Sequence, residues 1–105
     1  MEYIMMITTT DSLDLAEKIT EELLKERSAA CIQIIGPIRS RYIWQNKIEA
    51  SDEYLIFIKT KKNLYKKVEE KIKSLHSYSV PEIIALPIME GIESYLRWID
   101  EVVRE

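Results

Sequence analysis

A long hairpin is encoded by residues 30–58, ACIQIIGPIRSRYIWQNKIEASDEYLIFI, and this stretch decides the fold. From Ile38 to Trp44 the side chains alternate with the period of two that is typical of a strand. Gly36 and Pro37 interrupt the apolar pattern, and because proline lacks a backbone donor they predict a bulge or an edge. A turn is predicted at residues 45–47, after which the chain returns to a second apolar strand.

The segments on either side of the hairpin predict two more strands and three helices. Upstream, Tyr3–Thr10 is an apolar run that suits a strand buried on both faces near the middle of a sheet. Asp11 and Ser12 then offer caps for an amphipathic helix over Leu13–Arg27. Downstream, the periodicity predicts a helix with a stripe from Leu64 to Leu75 and Asn63 as its cap, a strand over Ile83–Ile88, and a helix over Ile92–Val103.

The order of these elements predicts an α+β fold: a ferredoxin-like βαββαβ sandwich with an extra C-terminal helix, forming one domain over residues 1–105. The strands are almost continuously apolar, so we expect both faces of the sheet to be buried against other groups. One short terminal helix is too small to cover the second face. A symmetric oligomer, in which identical copies bury that face, is therefore expected.

Composition and charge exclude several classes of function. The 105 residues include 15 lysines and arginines against 18 acidic residues, and the net charge of -3 has the wrong sign for a general nucleic-acid binder. No apolar run is long enough to span a membrane, and no basic segment precedes the first apolar run. Cys31 is the single cysteine and cannot form an internal disulfide. A cytoplasmic protein that binds neither nucleic acid nor membrane is predicted.

Two residues carry metal-binding chemistry, the lone cysteine Cys31 and the lone histidine His76. Together with a carboxylate such as Glu82 or Glu53 they form a ligand set suited to copper or zinc. The alternatives are a histidine that packs or caps a helix end and a buried, inert thiol. The 45 residues between Cys31 and His76 do not resemble the tight spacing of a zinc finger, so the spacing leaves both interpretations open.

A second candidate is a pocket with aromatic walls. Tyr42, Trp44, Tyr78 and Trp98 would line it, with Lys59 and Glu82 as polar contacts, while core or interface packing is the alternative for these aromatics. The sequence has no nucleophile elbow, no Gly-rich phosphate loop and no dinucleotide fingerprint. Neither an enzyme nor an organic cofactor is predicted.

Five segments in order resemble the CutA family of divalent-cation tolerance proteins, and the likeness covers nearly the whole chain. They are Ala29-Ala30-Cys31, the stretch from Ser40 to Glu49, Glu53 with Ile58-Lys59-Thr60, the stretch from His76 to Ile83, and Tyr95-Leu96-Arg97-Trp98. Asn46 stands where the family usually has glycine, a replacement that a left-handed turn tolerates. Ser77 follows the histidine where the family often has proline, which predicts a less rigid loop.

The resemblance implies a homotrimer linked to copper tolerance and metal binding, with Cys31 and His76 at the family's cysteine and histidine positions. A carboxylate such as Glu82 is our own addition to this ligand set. It also implies an architecture similar to PII signalling proteins, with a cleft between subunits. The residues implied at that cleft are Tyr42, Trp44, Glu53, Lys59, His76, Tyr78, Glu82 and Trp98. The leading hypothesis is a cytoplasmic, non-enzymatic trimer that binds copper or another divalent metal ion. The alternatives are a signalling module that binds a small anionic ligand through Lys59, and an assembly platform for other proteins.

Overall fold

A computed structural model describes residues 2–105. The strands are β1 (Tyr3–Thr10), β2 (Cys31–Trp44), β3 (Lys47–Lys61) and β4 (Ile83–Pro87), and the helices are α1 (Leu13–Lys25), α2 (Tyr65–Leu75) and α3 (Glu93–Val102). The four strands form one antiparallel sheet in the order β2-β3-β1-β4. The predicted α+β class and ferredoxin-like plan with an extra C-terminal helix are confirmed.

The long hairpin forms as the sequence predicts. Gln45 and Asn46 make a two-residue turn with φ of 51° and 64°, the left-handed conformation that such a turn requires. The pairing of β2 with β3 shifts between Ile35 and Ile38, which confirms the predicted bulge. At the bulge Gly36 has φ 151°, and a Cβ there would lie 2.9 Å from Cδ1 of Tyr54.

The distal half of this hairpin extends beyond the rest of the sheet. Strand β1 pairs with β3 only from Tyr54 to Lys61, so residues 47–53 pair with β2 alone. We call residues 38–53 the hairpin arm. Both of its apolar tip residues are strongly exposed, Ile43 by 76% and Ile48 by 73%. The arm is a two-stranded ribbon, a form that needs packing partners for stability.

Three predictions about helix ends need correction. Ser12 caps α1, because its Oγ accepts a hydrogen bond from the Leu15 N–H at 3.1 Å, and no such bond is made by Asp11. Helix α1 ends at Lys25 rather than at Arg27, whose φ of 61° is incompatible with a helix. The prediction that Asn63 caps α2 is wrong: Asn63 lies inside a 3-10 turn, and the cap position is Leu64, which has no side-chain hydrogen bond.

The two faces of the sheet differ in burial. On one face the side chains of α1 and α2 pack onto the strands, and Met6, Ile56 and Ile58 are completely buried. We call the opposite face the open face. There Ile84 is 48% and Leu86 43% exposed, and Met5 and Ile7 are only partly buried. The prediction that β1 is buried on both faces is therefore met on the helix side alone within one chain.

Candidate functional site

A groove of about 730 Å³ runs between the hairpin arm and residues 78–82, the segment that follows α2. Its lining comprises Thr9, Ser40, Arg41, Tyr42, Trp44, Glu49, Glu53, Tyr78, Ser79, Val80, Pro81 and Glu82. Its volume lies within the usual range for small-molecule sites. The groove brings together several of the residues that sequence analysis selected, namely Tyr42, Trp44, Glu53, Tyr78 and Glu82.

The arm supplies one wall of the groove through strand alternation. Ser40, Tyr42 and Trp44 are alternate residues of β2 and project to the same side. Opposite them on β3, Glu49 is the register partner of Tyr42. The Tyr42 hydroxyl lies 3.3 Å from Ser51 Oγ, which links the two strands across the arm. Tyr42 and Trp44 are each 43% exposed, so part of this wall is accessible in one chain.

A hydrogen bond between Tyr78 and Glu53 joins the arm to the opposite wall. Glu53 is only 6% exposed, and the Tyr78 hydroxyl donates to its Oε2 at 2.8 Å. Burial, and then this bond to a carboxylate, raise the pKa of Tyr78, so the phenol stays protonated and acts as a donor. Partial burial also raises the pKa of Glu82, and the negative charge of Glu53 raises it further.

His76 positions the segment that forms this opposite wall. It follows α2 as the C-cap residue, and its Nε2 lies 2.7 Å from the carbonyl oxygen of Thr9. Its Nδ1 accepts the Tyr78 N–H at 3.1 Å, which leaves the proton on Nε2 for the bond to Thr9. Both ring nitrogens are thus used by the backbone. His76 occupies the helix-end role that sequence analysis gave as the alternative to metal binding.

The remaining predicted residues lie together elsewhere, where α3 packs on the sheet. We call Cys31, Lys59, Tyr95 and Trp98 the thiol-end cluster. Lys59 donates to Gln33 Oε1 at 2.8 Å and lies 5.9 Å above the Tyr95 ring, and the rings of Tyr95 and Trp98 are 5.5 Å apart. Burial raises the pKa of Tyr95, and its neighbour Cys31 raises it further. Sequence reasoning read Tyr95 as part of a helix stripe and missed its contact with the thiol.

Helix α3, which carries Tyr95 and Trp98, is fixed by a polar network. The Tyr3 hydroxyl donates to Asp100 Oδ2 at 2.6 Å, and Lys61 Nζ lies 3.0 Å from Asp100 Oδ1. The bond from Tyr3, followed by the contact with Lys61, lowers the pKa of Asp100. Below this network Ile99 is completely buried beside Leu64. The thiol-end cluster therefore rests on a helix that is anchored within its own chain.

The groove and the thiol-end cluster are distant from each other in one chain. Lys59 follows Glu53 by six positions on β3, a separation of about 20 Å along a strand. His76 contacts Thr9, whereas Cys31 is aligned with Met5, four positions earlier on β1, or about 13 Å away. Within residues 2–105, no group of three or more histidine, cysteine, aspartate or glutamate side chains is placed to hold a metal ion. A single chain does not gather Cys31, His76 and Glu82.

The charge of the groove is negative. Glu49, Glu53 and Glu82 line it against one guanidinium, that of Arg41, so three negative charges face one positive charge. Lys59, the cation expected to attract an anionic ligand, lies in the thiol-end cluster instead. The groove of one chain therefore does not favour an anion.

Comparisons with known proteins agree over almost the whole chain. Residues 4–102 match the family described as CutA1 divalent ion tolerance protein. A divalent-cation tolerance protein CutA from Thermus thermophilus is 42% identical over 101 residues, which cover 96% of this chain and 97% of the relative. One from Archaeoglobus fulgidus is 42% identical over 95 residues, covering 90% and 92%. A solved structure of CutA from Archaeoglobus fulgidus, described as periplasmic, superposes on this chain with a TM-score of 0.94 at 39% sequence identity. The superposition covers 97% of this chain and 99% of the solved chain.

Proposed function

The chain belongs to the CutA1 family of divalent-ion tolerance proteins, and from that premise we propose that it is a homotrimer without enzymatic activity that binds copper and contributes to divalent-cation tolerance. The observation that carries the tolerance function is the family match over residues 4–102. Trimer formation and copper binding rest on further features of the chain.

The open face supports self-assembly. Ile35, Ile84 and Leu86 are 43% to 48% exposed on this face, and the tip of the hairpin arm exposes Ile43 and Ile48. Removing apolar surface from water stabilises an assembly by roughly 25 cal/mol per Å². A cyclic trimer gives every copy the same contacts and leaves no copy with an uncovered face.

Cys31 is the residue that we propose first as a copper ligand. It is partly buried, and a thiolate is a ligand that copper prefers. Because residues 2–105 of one chain hold no group of three suitable side chains, further protein ligands would come from another copy. Glu82 and His76 are proposed in that role, and His76 would first have to give up one of its two backbone hydrogen bonds.

Native mass spectrometry with and without copper tests the subunit number and the metal together. We expect a trimer that takes up copper in steps and loses this uptake in Cys31→Ser. A matched control is Cys31→Ser with Ser51→Cys, which keeps one thiol per chain but moves it to the hairpin arm; uptake should not return. A monomer, or full copper uptake by Cys31→Ser, would contradict the proposal. His76→Gln and Glu82→Gln then report whether either residue contributes.

The cytoplasm is the compartment that we propose. A single cysteine suits a reducing environment, where disulfides are rare. No helix within residues 2–105 combines the length and the apolarity needed to cross a membrane. Because the solved relative from Archaeoglobus fulgidus is described as periplasmic, fractionation of cells that express the untagged protein is the direct test. Recovery in the periplasm would contradict the proposal.

A further inference from the structure

Helix α3 is held to the rest of the chain by fewer buried residues than α1. Of its ten residues, Glu93–Val102, Ile99 is the buried one, whereas α1 has three buried residues in the main core. Ile99 belongs to a separate small cluster with Leu64 and Val103. An isolated helix of ten residues is marginal in water, so the helical form of α3 depends on its docking. Docking and helix should therefore be lost together, as one local unit.

The segment that leads from β4 into α3 is loosely packed. Ile88 is tied to β1, because its N–H donates to the carbonyl oxygen of Tyr3 at 2.9 Å. After it, Met89 is 81% and Ile92 72% exposed within one chain. Ile92 occupies the N-cap position of α3, and its side chain makes no capping hydrogen bond. The helix can therefore move about residues 89–92 while β4 stays paired with β1.

The C-terminal end of α3 is fastened by polar contacts, which we call the clasp. Asp100 accepts the Tyr3 hydroxyl at 2.6 Å and lies 3.0 Å from Nζ of Lys61. Lys61 is only 8% exposed, so this pair is shielded from water and is stronger than a surface pair. The Arg104 N–H adds a bond to the carbonyl oxygen of Arg27 at 2.7 Å. Because few contacts hold α3, the loss of one of them should shift its docking equilibrium measurably.

The thiol of Cys31 lies beside the docked helix. Burial raises the pKa of Tyr95 on α3, and its neighbour Cys31 raises it further, which places the phenol beside the thiol. Lys59 is the register partner of Cys31 on β3, and its Nζ lies 5.9 Å from the centre of the Tyr95 ring. Detachment of α3 takes Tyr95 away from Cys31 and leaves the thiol more exposed. Exposure is one of the properties that decide how fast a thiol reacts.

From these contacts we propose that α3 is a lid, which detaches from the sheet as one unit while the strands stay paired and thereby uncovers Cys31. The lid controls access to the copper ligand proposed above, and in this respect it rests on the proposed function. Opening of the lid is a property of each chain and does not depend on protein concentration. Cover by a neighbouring copy does depend on it, because subunits dissociate on dilution.

Alkylation of Cys31 by iodoacetamide in the assembled protein measures lid opening without copper, so a failure of the lid and a failure of copper binding are distinguishable. Mass spectrometry of the whole chain reports the reaction at its single thiol, and sedimentation verifies that the variants keep the subunit number of the parent. Tyr3→Phe removes one bond of the clasp and should accelerate alkylation about tenfold, which corresponds to about 1.4 kcal/mol.

Tyr65→Phe is the matched control. It also removes a phenol hydroxyl that donates to a carboxylate, that of Glu69 at 2.9 Å, but both residues lie within α2. This variant should react at the rate of the parent. Equal acceleration in Tyr3→Phe and Tyr65→Phe would overturn the proposal, because Cys31 would then be reached by global unfolding.

Hydrogen exchange gives a second measurement of the lid. The amides of α3 should exchange faster in Tyr3→Phe than in the parent, while the exchange of the β1 amides beyond the site of substitution should stay unchanged. Equal acceleration in α3 and β1 would overturn the proposal, as would an unchanged alkylation rate in Tyr3→Phe. An alkylation rate of the parent that rises on dilution would also overturn it and assign the cover of Cys31 to a neighbouring copy.

Discussion

The two ends of the same sheet are built differently. At the end covered by α3, Ile99 is completely buried, and Lys61 and Asp100 pair at 3.0 Å with Tyr3 beside them. At the groove end, the arm consists of two strands, and the buried Glu53 has a phenol as its described partner. The charged groups of the α3 end are paired within one chain, although Tyr95 and Trp98 are also partly exposed there, by 36% and 38%. The groove end has unused aromatic surface and unbalanced charge, which are features of a surface that meets another molecule.

The largest effect should come from a cavity in the core of the α3 end. Ile99→Ala leaves a cavity beneath α3 and should lower the free energy of unfolding by about 2–5 kcal/mol. Ile43→Ala is the matched truncation at the tip of the arm, where the side chain is 76% exposed. It should change the free energy of unfolding of the separate chain by less than about 0.5 kcal/mol and instead weaken self-association.

Urea titrations at equal protein concentration measure the free energy of unfolding of each variant, and sedimentation measures its self-association. The concentration is held fixed because association itself stabilises a folded chain. Equal losses of unfolding free energy in Ile99→Ala and Ile43→Ala would remove the distinction between the two ends.

A smaller effect is expected for the hydrogen bond that joins the walls of the groove. Tyr78→Phe deletes only the hydroxyl and leaves Glu53 buried without its donor, which should cost about 1–3 kcal/mol of unfolding free energy. Tyr42→Phe is the control, since its hydroxyl makes a longer and exposed contact with Ser51. Urea denaturation of the two variants should separate them clearly. An equal or larger loss in Tyr42→Phe would show that the buried carboxylate does not depend on Tyr78.

The smallest effect concerns pH, and the two ends should respond with opposite signs. The pKa of Glu82 is raised, so ionisation of Glu82 disfavours the folded state. The free energy of unfolding therefore falls as pH rises through the raised pKa of this carboxyl. Glu82→Gln should therefore increase stability at neutral pH, by less than about 1 kcal/mol given the exposure of this side chain, and the gain should vanish in acid. The pKa of Asp100 is lowered, so its contribution is present at neutral pH and is lost as pH falls through the lowered value.

Asp100→Asn should accordingly be destabilising at neutral pH, and its difference from the parent protein should narrow in acid. Melting temperatures of the parent and both variants between pH about 3 and about 7 give the test. Changes of the same sign in Glu82→Gln and Asp100→Asn at neutral pH would show that the charge environments of the two ends do not differ as described.

Local patterns in the sequence predict most of the fold. Strand alternation and the positive φ that Asn46 tolerates predict the hairpin, and Gly36 with Pro37 predicts its bulge. These features are predictable because the hairpin and the bulge depend on residues that are neighbours in the sequence. The predicted cap at Asn63 is wrong because a 3-10 turn precedes α2. The residue type at position 63 does not show whether a 3-10 turn or an α-helix begins there. The single domain over residues 1–105 stays a prediction.

The candidate site was only partly predictable. The resemblance implied a cleft between subunits, and that cleft stays a prediction. Within one chain, Lys59 and Trp98 lie at the end opposite to Glu53 and Tyr78. Which residues meet depends on the register of β3 and on the docking of α3, and residue types do not reveal either. The use of both nitrogens of His76 by the backbone likewise depends on the position of the Thr9 carbonyl near the end of β1.

The central place of β1 has a mechanical consequence. β1 has eight register partners on β3 and five on β4, whereas α3 is held to the sheet by side-chain contacts such as that of Tyr3 with Asp100. A force that pulls residues 3 and 102 apart therefore loads these side-chain contacts first and detaches α3. The chain then resists through β1, whose extraction must break hydrogen bonds on two sides at once. Single-molecule stretching would record an early low-force step followed by a high-force rupture.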